Sequence, residues 1–300
     1  MPISTPRNNE SHDEFIARCH GEMHDEFKDD AQRNAVCQQQ WDDSHAQAKQ
    51  YTHVLQAVYG QPWAILPSMY ATICQLISFR AAGGHLTEEE IQARIGAARV
   101  RTGAARSGAI AVLPLYGVMA QRMDMMTAMS GGTSTDRFGA MIQAALGDSS
   151  IGAIVLDIDS PGGAVYGVQE LHDIVMAARG RKPVVAVANS MCASAAYWVA
   201  TAADEIVVTP GGTVGSIGIV ALHEDISKAA ELAGVKTTLI THGENKALGN
   251  TFEALSEEAR KDLQKRVAEY GHMFESAVAR GRGVSIGTVR SEFGQGLMFG

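Results

Sequence analysis

From residue 109 onward the chain alternates between short apolar runs and amphipathic stretches, and this alternation constrains the fold more than any other feature. "AIAVLPLYGVM", "IGAIVLDID" (151–159), "KPVVAVAN" and "DEIVVTP" read as strands rich in Val, Ile and Ala. Between them "DRFGAMIQAALG", "GVQELHDIVMAAR" and a segment starting near Ser194 read as helices. Strands separated by helices pair in parallel, because a parallel neighbour needs a long crossover. The runs lack polar alternation, which predicts strands covered on both faces. Ser134 or Thr135 of "GGTST" is the expected cap of the first helix. "SPGGAV" reads as a turn, "GGTVGSIGIV" as a Gly-rich turn entering a strand, and "DISKAAELAG" as a helix. "VKTTLIT" reads as a strand and residues 255–280 as a long helix.

The preceding third of the chain is different. Residues 1–50 are polar, with Phe15, Ile16, Cys19, Met23 and Phe27 at roughly helical spacing, which predicts a small helical appendage. Cys19, His20, His24 and Cys37 match no zinc-ligand spacing. Residues 51–108 read as helix, turn and helix broken by Pro62 and Pro67, then a capping box at Thr87 and Glu90, then a linker ending near Gly108. The expected organisation is thus 1–50, 51–108 and a main domain 109–300.

The net charge of −8 argues against nucleic-acid binding, which needs a basic surface. Four scattered cysteines in a chain this long read as free thiols of a reducing compartment. No secretory leader and no membrane-spanning run is read in the sequence. No metal and no cofactor is expected.

In parallel sheets ligands bind beyond the carboxyl ends of the strands, and two such ends carry unusual residues. "DSPGG" (159–163) offers the amides of Gly162 and Gly163 to an oxyanion, although a plain turn would look the same. "NSMCASAAYW" (189–198) places Ser194 at a helix start among small neighbours, as a nucleophile or as a mere cap. The nucleophile elbow G-x-S-x-G is absent, since Cys192 and Ala196 stand at its glycine positions. A nucleophilic serine needs a base. Lys246 in "HGENKALGNTF" lies just past the "VKTTLIT" run, and a lysine stripped of water can accept a proton. His223 with Asp225 is the weaker alternative.

In order and spacing, "DIDSPGGAV", "KPVVAVANSMCASAAYWVATAADEIVVTPGGTVGSIGIV" and "HGENKALGNTF" resemble the signal peptide peptidase A family of Ser-Lys serine proteases. "ASAAYW" in place of "ASGGYY", together with "QPWAILPSMY", "IAVLPLYGVM" and "GTST", is closer to its phage branch, the capsid assembly or prohead proteases. The resemblance implies a Clp-protease/crotonase-like α/β fold and a serine endopeptidase. Ser194 would be the nucleophile, Lys246 the base, Gly162 and Gly163 the oxyanion hole, and Ser216 of "VGSIG" the residue orienting the lysine. It further implies protein substrates (capsid scaffold, portal and this chain's own N-terminal segment), assembly into a homo-oligomeric ring, and work in the host cytoplasm or prohead without membrane insertion. The family continues beyond "SEFGQGLMFG", so the C-terminus is expected to be truncated or divergent. Two other readings of the same fold are a crotonase-like acyl-CoA enzyme, for which no acidic pair is evident, and a non-catalytic capsid scaffold.

Overall fold

The computed structural model describes residues 10–23, 29–42, 58, 61–81, 104–122, 132–232 and 234–300. The chain divides into two compact units, Met1–Val58 with Ala71–Arg94, and Tyr59–Tyr70 with Ile95–Gly300. The Thr87–Glu90 capping box lies outside the described residues.

In the smaller unit, α1 (His12–Glu22) starts at a capping box. The Glu14 N–H donates to Ser11 Oγ, and the Ser11 N–H donates to Glu14 Oε2 at 2.9 Å. A second helix, α2, spans 30–42. Phe15, Cys19, Met23 and Cys37 form a small buried cluster, with Ile16, Val36 and Trp41 packed against it. Contrary to the expectation of scattered free thiols, Cys19 and Cys37 are joined as a disulfide, their Cα atoms 5.9 Å apart. The two helices each turn one cysteine into the same small core, a proximity that linear spacing does not reveal.

The larger unit opens with β1 (Trp63–Ile65) and the start of α3 (Pro67–Ala81). A sheet follows from β2 (Ala105–Ser107), β3 (Ile110–Tyr116), β6 (Ala153–Ser160), β8 (Val184–Ala193), β10 (Thr213–Gly215) and β11 (Met298–Phe299), hydrogen-bonded in the order β11-β10-β8-β6-β3-β2, with β9 (Glu205–Val208) beside β8. The central pairs β3·β6, β6·β8, β8·β9 and β8·β10 are parallel, and β2 and β11 are antiparallel edges. The predicted α/β class with a parallel sheet and helical crossovers is thus present. A second sheet of short strands runs β1-β7-β4-β5, with β4 (Met119–Ala120), β5 (Thr133–Ser134) and β7 (Gly162–Ala164).

The crossover helices α4 (Thr135–Gly147), α5 (Val168–Ala178) and α6 (Ala195–Ala200) join α8 (Glu257–Arg282) in the core; α7 (Ser227–Leu232) and α9 (Ile286–Glu292) complete the unit. Ser134 caps α4, accepting from the Arg137 N–H at 3.3 Å. Leu113, Leu115, Ile154, Leu156, Ile158, Ala186 and Ala188 meet Phe138, Leu171, Val175, Val199 and Phe274 in one buried cluster. The strands are not equally covered on both faces. Burial alternates along β3 and β6, leaving Val112, Pro114 and Val155 half-buried on the face away from these helices.

Three local expectations are corrected. Gly162–Ala164 of "SPGGAV" is a strand, because two partners distant in sequence, β1 and β4, bracket it. "VKTTLIT" forms no strand; its β-branched residues find no partner among the described residues, and Val235, Leu239 and Ile240 stand exposed. The stretch before Pro67 contributes a strand at Trp63–Ile65 where helix and turn were expected, and the stretch before Gly108 contributes β2.

Candidate active site

Ser194 sits where β8 ends and α6 begins. Two extra residues enter β8 between the pairs Ile158↔Ala188 and Ser160↔Cys192, a bulge that re-aims the chain just before the serine. Ser194 then adopts φ 53° and ψ −116°, left-handed values that a side chain rarely accepts. Its N–H donates to Gly215 O at 2.8 Å, and its carbonyl accepts from the Trp198 N–H at 2.8 Å. Both bonds hold the strained geometry. The residue is 1% exposed, and its hydroxyl has no hydrogen-bond partner among the described residues. It does not cap α6. A buried hydroxyl left unpaired at a strained backbone costs stability, so its placement points to a use other than packing.

The helix after Ser194 is fixed at its other end. Its last carbonyls are met by the residues that follow: Val199 O accepts from the Ala202 N–H and Ala200 O from the Ala203 N–H, both at 3.0 Å, and Trp198 O accepts from the Thr201 hydroxyl at 2.7 Å. Arg179 ties down the turn that follows the helix, with Nε donating to Ala202 O at 2.7 Å and Nη2 to Thr201 O at 3.3 Å and to Ala203 O, and it reaches α8 through Gly281 O at 2.9 Å. Arg282 adds bonds to Thr201 O at 3.2 Å and to Ala203 O, and its pKa is lowered, first by burial and then by Arg179. Gly281 lets α8 approach, since a Cβ there would lie 2.2 Å from Thr201 O. Trp198 stacks on Phe274 of α8 at 4.6 Å between centroids. Cys192, two residues before the serine, is buried, and burial pushes its thiol pKa up, so it is not a competing nucleophile.

The glycine loop stands against the serine. Gly162 has φ 97°, and a Cβ there would lie 2.2 Å from Ala64 O, 3.0 Å from Ala195 N and 3.0 Å from Ser194 Cβ. A Cβ on Gly163 would lie 1.9 Å from Met119 O. Both positions exclude any side chain. The buried Ser160 braces the loop, donating from Oγ to Gly117 O at 2.6 Å and accepting the Gly162 N–H at 3.2 Å. Ala195, which sequence reasoning passed over, brings an N–H at the helix start into this group; the signal was its place directly after the serine.

Ser216 follows Gly215 and is also left-handed, at φ 57°; its N–H donates to Leu297 O at 2.7 Å. The structure therefore gathers Ser194, Gly162 and Gly163, with Ser216 one residue beyond the Ser194–Gly215 bond. No hydrogen bond joins Lys246 to the Ser194 hydroxyl among the described residues. Lys246 lies in the exposed turn after Gly243, to whose carbonyl its N–H donates at 3.2 Å. The His223–Asp225 alternative is not assembled either. His223 Nε2 pairs with Asn250 O at 2.9 Å. The Asp225 carboxylate is held by Ser227, whose hydrogen bonds lower its pKa.

Residues 177–296 match the model of peptidase family S49, a span that includes Ser194, Ser216 and Lys246. The chain is 39% identical over 180 residues to the head-tail preconnector protein GP5 of Enterobacteria phage P21, covering 60% of this chain and 36% of the relative. It is 32% identical over 261 residues to the capsid assembly protease C of Escherichia phage lambda, covering 81% of this chain and 59% of that protein. The chain therefore spans about a third to three-fifths of the length of these two relatives. A ClpP1 mutant from Listeria monocytogenes aligns with 63% of this chain and 81% of its own at 13% identity and a TM-score of 0.38; the fold description rests on the strand order given above. No helix among the described residues is long and apolar enough to cross a membrane.

Proposed function

We propose that this S49-domain chain is a serine endopeptidase of phage head assembly, with Ser194 as nucleophile and Lys246 as base. The observation that carries the reading is the unpaired Ser194 hydroxyl, held at a strained helix start beside a loop that tolerates only glycine. Neutral Lys246 takes the Ser194 Oγ proton as Oγ bonds to the scissile carbonyl carbon. The developing oxyanion is met by amides of the Gly162–Gly163 loop in a dry site. The Gly162 N–H, now on Ser160 at 3.2 Å, is the one an oxyanion would compete for. The tetrahedral species collapses, the C–N bond breaks, and Lys246 protonates the leaving amine. Water then adds to the ester, giving its proton to Lys246, and the C–Oγ bond breaks as Ser194 regains a proton. Ser216 orients the lysine once the 243–250 turn closes on the site.

The small residues around Ser194 (Ala193, Ala195 and Ala196, all fully buried) favour small apolar side chains in the substrate. The names of the phage relatives, a head-tail preconnector protein and a capsid assembly protease, support phage head assembly as the setting; the proposal extends this to capsid scaffold, portal and the chain's own N-terminal segment as substrates, and to the host cytoplasm or prohead as the place of work. Assembly into a ring belongs to the same proposal. Leu232 (91% exposed), Val235, Leu239 and Ile240 (95% exposed) flank the Lys246 turn, an apolar run that a second copy would cover.

The test is cleavage of a co-expressed scaffold, or of the chain itself, by the parent and by Ser194→Ala and Lys246→Ala. Activity retained in Ser194→Ala rejects the nucleophile. Activity retained in Lys246→Ala but lost in His223→Ala moves the base to the histidine.

A further inference from the structure

The strand β1 is placed like a bound peptide. It runs antiparallel to Gly162–Ala164 of the glycine loop, with Trp63 opposite Ala164, Ala64 opposite Gly163 and Ile65 opposite Gly162. On its other edge the Trp63 N–H donates to Val220 O and the Val220 N–H to Trp63 O, both at 2.9 Å, again antiparallel. The strand is thus clamped between two segments that flank Ser194 in the sequence. Pro62 and Pro67 bound it, and both ends are tied to the loop: the Leu66 N–H donates to Pro161 O at 3.0 Å and the Val165 N–H to Pro62 O at 3.3 Å. These two rungs make Ala64 and Gly163, midway between them, a hydrogen-bonded pair.

The middle of the strand reaches the reactive group. The Ala64 carbonyl oxygen is the nearest atom to the Cβ position of Gly162, with Ala195 N and Ser194 Cβ next. A backbone carbonyl of the chain itself therefore sits in the space between the glycine loop, the helix start and the serine. Its residue is an alanine, the size this crowded corner admits. Trp63 and Ala64 are fully buried, Ile65 is 3% exposed, and Trp63 is packed on Tyr70 with ring centroids 5.6 Å apart. Ser194 beneath is closed to solvent. A peptidase cannot accept an extended substrate while such a strand fills both edges of the groove.

We propose that Pro62–Leu66 is an internal peptide seated in the substrate groove of the Ser194 site, an inference that rests on the endopeptidase reading for its functional meaning. The groove takes an extended chain by antiparallel pairing to Gly162–Ala164 on one side and Val220 on the other, with a small residue beside Ser194. It opens to other chains when the internal strand leaves.

The test uses the full chain carrying Ser194→Ala, so that no peptide bond is cut, and follows backbone deuterium exchange. Ala64→Glu, which sets a charge in the dry groove, and Trp63→Ala, which removes the buried anchor, each release the strand. The amides of residues 163–165 and 220 then exchange at least about tenfold faster. The synthetic peptide GQPWAILPS restores their protection, and the same peptide with glutamate in place of its alanine does not. Protection unchanged in both variants overturns the proposal. So does failure of the peptide to protect a variant whose circular dichroism shows the fold intact, and so does global unfolding of both variants, which would make β1 an obligatory part of the sheet. Absence of any cleavage by the parent chain sinks the endopeptidase reading but leaves the exchange result standing.

Discussion

The two halves of the candidate site are built in opposite ways. The Ser194 half is over-determined: a bulged strand, two backbone bonds to the serine, a glycine loop with no room for a side chain, and a helix whose far end is held by Arg179 and Arg282. The Lys246 half is exposed, lacks regular structure from 235 to 256, and is tied down by a few bonds such as His223 to Asn250 and the Ile226 N–H to Thr251 O. The difference teaches that the strained serine is preorganised at the expense of stability, while in the proposed mechanism the base has still to arrive. Under that proposal the site stays silent until its second half closes.

The comparison can be broken at several points. The largest effect is expected from the two proposed catalytic side chains. Ser194→Ala and Lys246→Ala should each lower kcat/KM by about ten-thousand-fold, with melting temperatures that show both chains folded. If Lys246→Ala costs less than about tenfold, the exposed half is not part of the site. Next comes the anchor of the rigid half. Arg179→Ala strips a charged donor from several carbonyls and should cost about 3 kcal/mol in a denaturant titration, because the oxygens left behind are hard to reach by water. The equivalent change in the open half, Ile240→Asp, should leave the unfolding midpoint in place and instead lower the assembled fraction in sedimentation.

A smaller effect concerns the helical layer under the serine. His172 of α5 is fully buried, and its pKa is lowered, chiefly by burial, although Asp173 works the other way and Arg280 adds to the lowering. The unfolded chain therefore binds the proton more readily than the folded one. This contribution to stability is fully present above the ordinary value of 6.5 and is lost as the pH falls through the lowered folded value. Unfolding free energy measured from pH 7 downward should decline, and His172→Leu should flatten that decline. The smallest effect separates strain from chemistry. Ser194→Gly should be more stable than Ser194→Ala by about 1 kcal/mol, because glycine accepts the left-handed backbone. Equal stability would mean that the serine backbone is relaxed.

Much of the rigid half was legible in the sequence and much of the open half was not. Apolar runs gave β3, β6 and β8, Ser134 gave the start of α4, and the position of Ser194 at a helix start followed from "NSMCASAAYW". These features depend on neighbours close in the chain. Gly162–Ala164 read as a turn because its partners, Trp63–Ile65 and Met119, lie far away in sequence. The same distance hid the Cys19–Cys37 pair, which two separate helices bring together. "VKTTLIT" failed for the converse reason: β-branched composition promises a strand, but a strand also needs a partner edge, and no described segment offers one.

The most direct measurement of the central claim is covalent labelling by a fluorophosphonate, which reacts with an activated serine hydroxyl, followed by peptide mapping over extended incubation. The account predicts one adduct, on Ser194, absent in Ser194→Ala and formed at least about a hundred times more slowly in Lys246→Ala. An adduct on another residue, or labelling of Ser194 at an unchanged rate in Lys246→Ala, would contradict it.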